Sequence, residues 1–414
     1  MPAERISCDV SSADAAVAHV RRLVPEPASV SDVVREMIAT VAAGGDAAVL
    51  DYERRFGGRG EPLRVSGHEL SAALAALPAD VRSGLEMAIA NVDAVARAGA
   101  DPEAEVVLAQ GQRVRLREVP VRRAAVYAPG GKNPYPSSVV MGVVTARAAG
   151  VDEVVVAAPS HPLIHAAAVL CGADEVYRMG GAQAIAALAH GTETIAPVDV
   201  IVGPGNLYVQ EAKVQLSGRV GIDGFAGPSD LCLAVSSGVD LEPLALDLLA
   251  QSEHGDGSPV VAISDDATLL DALAARLDSD GGRGIRVLVH AADTEAVLAF
   301  LEGFAAEHLQ LAGTGVEALA PRIRTAGLLL VGEHSGTAFG DYVAGSNHTL
   351  PTDGRGRFAS GLSARHFRRR MAEVRIDAGA ADALARAAVP IAEAEGFAMH
   401  AASMAARMRE NRSS

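Results

Sequence analysis

The sequence predicts an α/β protein with two Rossmann-like parallel-sheet domains lacking GxGxxG, plus small N-terminal and helical C-terminal segments. Three observations carry this. Short apolar strands alternate with helices from Ala124 to Leu216, and the same rhythm returns from Leu231 to Val331. In the first stretch, three strand ends carry small residues and then a polar side chain. Such alternation means parallel βαβ units, because a parallel neighbour needs a crossover long enough to hold a helix.

In order, residues 1–24 read as an appendage. Residues 30–56 have helical apolar spacing with Ser31 as N-cap, 70–98 are mostly helical, and 112–118 alternate as a strand does. Strands follow at 124–127, 153–157, 175–178 and 199–202, with helices at 137–149, 163–171, 182–190 and 207–216. His161 and His165 are four apart, but Pro162 marks a helix start there rather than a metal motif. Further strands fall at 231–235, 260–263, 285–289 and 328–331, with helices at 241–254, 266–277 and 294–304. Residues 362–414 read as two helical stretches. The division expected is 1–24; 25–122 with 231–361 as one discontinuous α/β domain; 123–230 as a second; and 362–414 as a helical tail that docks on a partner subunit.

At 414 residues the chain is long enough for two or more domains. It is 49% apolar and 21% charged, with 3% aromatics and no Trp, so its core must be aliphatic. A net charge of −15 argues against nucleic-acid binding. The run Arg365-His366-Phe367-Arg368-Arg369-Arg370 is the exception, and reads as a solvated helix face. Cys8, Cys171 and Cys232 are scattered and form no CxxC pair, which fits a reducing compartment. There is no basic start followed by an apolar run, and no stretch reaches the roughly 18 apolar residues of a membrane helix. A cytoplasmic location without membrane partners is expected.

Several segments carry chemistry. Ala128-Pro129-Gly130-Gly131-Lys132, Met179-Gly180-Gly181-Ala182-Gln183 and Gly203-Pro204-Gly205-Asn206 each follow a strand. Ligands of open parallel sheets sit at strand C-terminal ends, and helix N-termini attract phosphate, so a nucleotide or dinucleotide is favoured. Gln251 and His254 extend the apolar face of one helix and could reach one ion of the zinc type; taken alone, they also suit a polar helix end. Glu307-His308 pairs a water activator with a base near a helix end. The run from Gly340 to Thr352 holds Asp341, Tyr342, Asn347 and His348 among glycines and a proline, and reads as a long loop belonging to a site. His400 sits on an otherwise apolar helical face after Glu395-Gly396, a pattern that by itself suits a core or interface histidine.

In this order the segments resemble the histidinol dehydrogenase family. The blocks run from Tyr127-Ala128-Pro129-Gly130-Gly131 and Pro136-Ser137-Ser138-Val139 through Gly180-Gly181-Ala182-Gln183, Val202-Gly203-Pro204-Gly205-Asn206 and Gly227-Pro228-Ser229. They continue through Gln251-Ser252-Glu253-His254, Glu307-His308-Leu309, Gly340-Asp341-Tyr342, Asn347-His348-Thr349-Leu350-Pro351-Thr352 and Glu395-Gly396-Phe397. The resemblance implies oxidation of L-histidinol through an aldehyde to L-histidine, with one Zn2+ per subunit and NAD, in histidine biosynthesis. It implies Gln251, His254, Asp341 and His400 as metal ligands, and Glu307 and His308 as catalytic residues. It implies Ser229, His348 and Glu395 as substrate contacts, and Tyr127, Gln183 and Asn206 as cofactor contacts. It also implies a homodimer whose tail completes the partner's site. The chain departs from the family pattern at Asp230, where Glu is usual, at Gly142, where Asn is common, and across 231–237 and 333–339. These departures leave open a related zinc- and NAD-dependent dehydrogenase of another small hydroxyl compound.

Overall fold

The structure is a computed structural model that describes residues 3–25, 29–58, 62–130, 133–253, 255, 257–279 and 284–408. It forms two compact units: residues 1–99 with 121–367, and residues 100–120 with 368–414.

The first unit begins with β1 (Glu4–Cys8) and α1 (Ala13–Leu23). Next come α2 (Ser31–Arg55), α3 (Gly67–Ala75) and α4 (Ala79–Ala98). Val30, not Ser31, is the N-cap of α2, and Gly45 (φ 51°, ψ −139°) breaks that helix internally. α3 starts in a capping box, with Ser66 and Glu69 satisfying each other's backbone N–H groups.

In the second unit, β2 (Ala104–Val107) and β3 (Arg113–Pro120) pair antiparallel. The chain then returns to the first unit with β4 (Arg123–Tyr127), α5 (Pro136–Ala148), β5 (Glu153–Ala158) and α6 (Pro162–Leu170). His161 caps α6 by accepting from the Leu163 N–H. β6 (Glu175–Arg178), α7 (Gly181–His190), β7 (Val200–Val202), α8 (Leu207–Leu216) and β8 (Gly221–Ile222) follow. β4 to β8 build a parallel sheet in the order β6-β5-β4-β7-β8. One face is covered by α2, α7 and α8, the other by α5 and α6. α5 is buried nearly all round, and Gly142 lets it lie on β4: a Cβ there would fall 2.4 Å from Val126 Cγ1.

The rhythm resumes with β9 (Leu231–Val235), α9 (Leu241–Ser252), β10 (Pro259–Ser264), α10 (Ala267–Ser279), β11 (Ile285–Ala291) and α11 (Thr294–Phe304). β12 (His308–Ala312), α12 (Thr314–Glu317), β13 (Leu328–Val331) and α13 (Thr337–Tyr342) complete it. These strands and β1 form a six-stranded parallel sheet, β1-β11-β10-β9-β12-β13. α1 and α11 cover one face and α9 and α10 the other. The fold is thus α/β with two parallel sheets, as expected. The small N-terminal segment supplies an edge strand and a helix to the second sheet.

The second unit ends with β14 (Arg368–Arg375), α14 (Ala378–Ala394) and α15 (Ala398–Ala405). The two tail helices match the expectation, but β14 precedes them and pairs antiparallel with β3. The arginine-rich run is therefore a 3-10 turn and a strand, not a helix face. Its alternating side chains pair across the ladder, Arg370 with Glu118 at 2.5 Å.

Candidate active site

In the five-stranded sheet, successive connections run from β4 outward to β6, then return to β7 on the other side of β4. The crevice outside the carboxyl ends of β4 and β7 is therefore the switch point at which ligands bind open α/β sheets. A cavity of about 860 Å³ lies there, and Tyr127, Gln183 and Asn206 all line it. Tyr127 Oη accepts from the Gly181 N–H at 3.1 Å, and Asn206 Oδ1 caps α8 through the Val209 N–H. Gly203 (φ +119°) brings this loop against β4, since a Cβ there would lie 2.0 Å from the Tyr127 carbonyl oxygen.

Sequence reasoning missed Glu53 of α2, which also lines the cavity. Its Oε1 accepts from the Gly180 N–H and from Gln183 Nε2, both at 2.9 Å. Burial raises this carboxyl above its usual range, against the pull of those two donors. Nothing local distinguishes Glu53 from other polar positions of an amphipathic helix. Gln183 is buried and its Oε1 has no hydrogen-bond partner. A cavity of dinucleotide scale with an unmet acceptor in its wall fits NAD in kind.

The six-stranded sheet has its own switch point, between β9 and β12, where the loops that follow the two strands pack against each other. Ser236 Oγ there accepts from the Gly315 N–H at 3.1 Å, and a Cβ on Gly313 would collide with it at 2.4 Å. The expected catalytic residues lie at the opposite ends of those strands. Ser229 and Asp230 immediately precede β9, and Glu307 and His308 enter β12. Gln251 is in the last turn of α9, which packs on this sheet.

These side chains form one connected group. Gln251 Nε2 donates to Ser229 Oγ at 2.5 Å, and Ser229 Oγ donates to Glu307 Oε2 at 2.5 Å. Glu307 Oε2 lies 3.7 Å from His308 Nδ1, a buried nitrogen with no hydrogen-bond partner. His308 Nε2 is 3.3 Å from Asp341 Oδ1. His348 Nδ1 is 2.9 Å from the Asp341 carbonyl, and its Nε2 is 3.1 Å from Ser138 Oγ of α5, which ties this group to the five-stranded sheet.

Burial pushes the Glu307 carboxyl up to about 7, although the His308 cation opposes the shift. Burial also disfavours a charge on His308, but the carboxylates of Glu307 and Asp341 prevail and hold it at about 9. The group is a buried acid–base pair fixed at both ends.

The segment 340–352, read from sequence as a loop, begins inside α13: Asp341 is helical, and the irregular stretch starts at Val343. His254 lies outside the described residues. Glu395 and His400 belong to the second unit, where both are exposed, with the His400 ring 5.2 Å from that of Phe397. Among the described residues, no group of three or more His, Cys, Asp or Glu side chains is disposed to hold a metal. The donors within the first unit are the Gln251 amide oxygen and the Asp341 carboxylate. With imidazoles they make a nitrogen–oxygen set of the kind zinc accepts.

A sequence model of histidinol dehydrogenase matches residues 21–408. The chain belongs to the histidinol dehydrogenase family. It is 41% identical over 399 residues to a histidinol dehydrogenase of Halobacterium salinarum, covering 91% of this chain and 93% of the relative. With that of Gluconobacter oxydans the identity is 37% over 407 residues, covering 92% and 94%. A crystal structure of histidinol dehydrogenase from Elizabethkingia anophelis superposes with a TM-score of 0.91 at 28% identity, covering 98% of each chain. Membership in the histidinol dehydrogenase family makes the chain an oxidoreductase. No helix among the described residues is long and apolar enough to cross a membrane.

Proposed function

We propose that this enzyme oxidises L-histidinol through L-histidinal to L-histidine, by two successive hydride transfers at one site, in histidine biosynthesis. The observation that carries the reading is the connected group Gln251–Ser229–Glu307–His308–Asp341, with Gln251, Glu307 and His308 buried.

Gln251, His254, Asp341 and His400 would hold one zinc per subunit, and Tyr127, Gln183 and Asn206 would contact NAD. When bound, the metal would supply a positive anchor for the substrate's imidazole and amine nitrogens, and two NAD molecules in succession would each accept one hydride. On this reading, residues 123–230 are the NAD-contacting domain. Residues 25–122 with 231–361 carry the metal and catalytic groups.

His308 takes the hydroxyl proton as the alcohol becomes an aldehyde. Its Nδ1 and Nε2 face the carboxylates of Glu307 and Asp341, which orient the imidazole for that transfer. Glu307 then takes a proton from water as that water adds to the aldehyde, and the hydrate releases the second hydride as it becomes the carboxylate. Ser229 orients Glu307, while Ser229 and His348 contact substrate and Glu395 meets its ammonium.

The second unit supports a homodimer in which the tail completes the partner's site. Glu395 and His400 are exposed, and so are Ile391, Phe397 and Met399 beside them in sequence. The three thiols are all free and buried, which supports a reducing cytoplasm. Counting NADH formed per amino-acid product from L-histidinol tests the whole reading. Two per molecule is expected; one, with an aldehyde as product, would sink it.

A further inference from the structure

Asp230 is fully buried, and its partner Arg21 comes from α1, in the segment that reads from sequence as an appendage. Arg21 NH1 donates to Asp230 Oδ2 at 2.9 Å, and NH2 donates to the Phe304 carbonyl at 2.5 Å. The guanidinium carbon also lies 4.0 Å from the Phe304 ring centroid. Phe304 ends α11. Ala305, next in the chain, has the left-handed φ of 48° that turns the backbone toward β12.

Asp230 then grips the start of β12. Its Oδ1 accepts from the Glu307 N–H at 2.7 Å, and its carbonyl accepts from the His308 N–H at 3.2 Å. In return, Glu307 Oε2 accepts from the Asp230 N–H at 3.0 Å. Three hydrogen bonds thus fix residue 230 to residues 307 and 308, and one cation neutralises the carboxylate that makes the first of them. A buried carboxylate left without its cation is strongly disfavoured, and the strand start it holds would move with it.

We propose that Arg21 and Asp230 are positioning residues for the reaction. Their buried pair sets the place of the Glu307 carboxylate and of His308 through the turn at 304–306 and the start of β12. This rests on the reading of Glu307 and His308 as the reacting groups. In this chain a residue of the N-terminal segment thereby controls the catalytic pair without touching substrate.

The test uses the purified full-length enzyme with zinc and NAD. NADH formation is measured from L-histidinol and separately from L-histidinal, well below each variant's thermal midpoint. For Arg21→Met, kcat with L-histidinal should fall about tenfold or more, while KM for NAD stays within about twofold. The double variant Arg21→Met/Asp230→Asn should recover part of that loss, because no buried charge is left unpaired. A lowered midpoint with wild-type kcat would make the pair merely structural and overturn the proposal.

If Arg21→Met does not fold, Arg21→Lys carries the test. It keeps a cation opposite Asp230 but gives up the simultaneous bond to the Phe304 carbonyl, so a smaller fall in kcat at unchanged KM is expected. Wild-type kcat in that variant with a lowered midpoint would again overturn the proposal. Glu307→Gln is the control. If it too turns over normally, the functional reading itself fails; if it is impaired while the Arg21 variants are not, only this inference fails.

Discussion

His308 and Asp341 meet across two elements 33 positions apart, with Nε2 of the imidazole 3.3 Å from Oδ1 of the carboxylate. One residue opens β12 and the other sits near the end of the short helix α13. With the Glu307 carboxylate on its other side, the buried imidazole lies between two acids that favour its protonated form.

If His308 removes the alcohol proton, His308→Ala lowers NADH formation from L-histidinol by about two orders of magnitude or more, the usual worth of a general base. Steady-state assay of the folded variant checks this. Unchanged turnover would remove His308 from the mechanism.

Glu307 is given the water step. Glu307→Gln is therefore expected to impair oxidation of L-histidinal more than that of L-histidinol. The two substrates are compared in single-turnover experiments. Equal loss on both would count against this division of labour.

Metal removal gives a separate check on Gln251 and Asp341. Dialysis against a chelator should abolish activity, and added zinc should restore it. A metal-stripped enzyme that remains fully active would end the zinc reading.

The rim of the cavity has its own pH signature. Glu69 pairs with Arg178, a cavity-lining residue, at 2.8 Å. Arg178, then Ser66, hold the Glu69 carboxyl down to about 2. A depressed carboxyl stabilises the fold above its unfolded value, about 4.3, and that contribution is lost as pH falls toward 2. Glu69→Gln should flatten this part of the thermal-midpoint profile and leave it unchanged in shape above about pH 6. Because Glu69 is largely exposed, solvent screening keeps the charge contribution below about 1 kcal/mol. An unaltered acid slope in the variant would refute the assignment.

The parallel sheets were legible because apolar runs bounded by glycine encode buried strands directly. The strand ends singled out by their glycines border one cavity, lined by Tyr127, Gln183 and Asn206, since a switch point between parallel strands opens at their carboxyl ends. β14 was not legible. It opens on three consecutive arginines, is exposed on most of its length and shows no apolar face. Glu53 and Arg21 were hidden for a related reason: each looks like any polar residue of an amphipathic helix until its distant partner is known.

The order of residues alone determined the α/β class, the residue types available for acid–base and metal chemistry, and the family to which they belong. Tertiary structure decided at which ends of the strands these residues gather. In the five-stranded sheet the cavity lies at the carboxyl ends, whereas in the six-stranded sheet the acid–base pair lies at the amino ends of β9 and β12. It also decided that Arg21 should neutralise Asp230 across 209 positions. Periodicity is a local property that a chain carries in its own order, whereas the pairing of a buried charge depends on which distant segment packing brings to it.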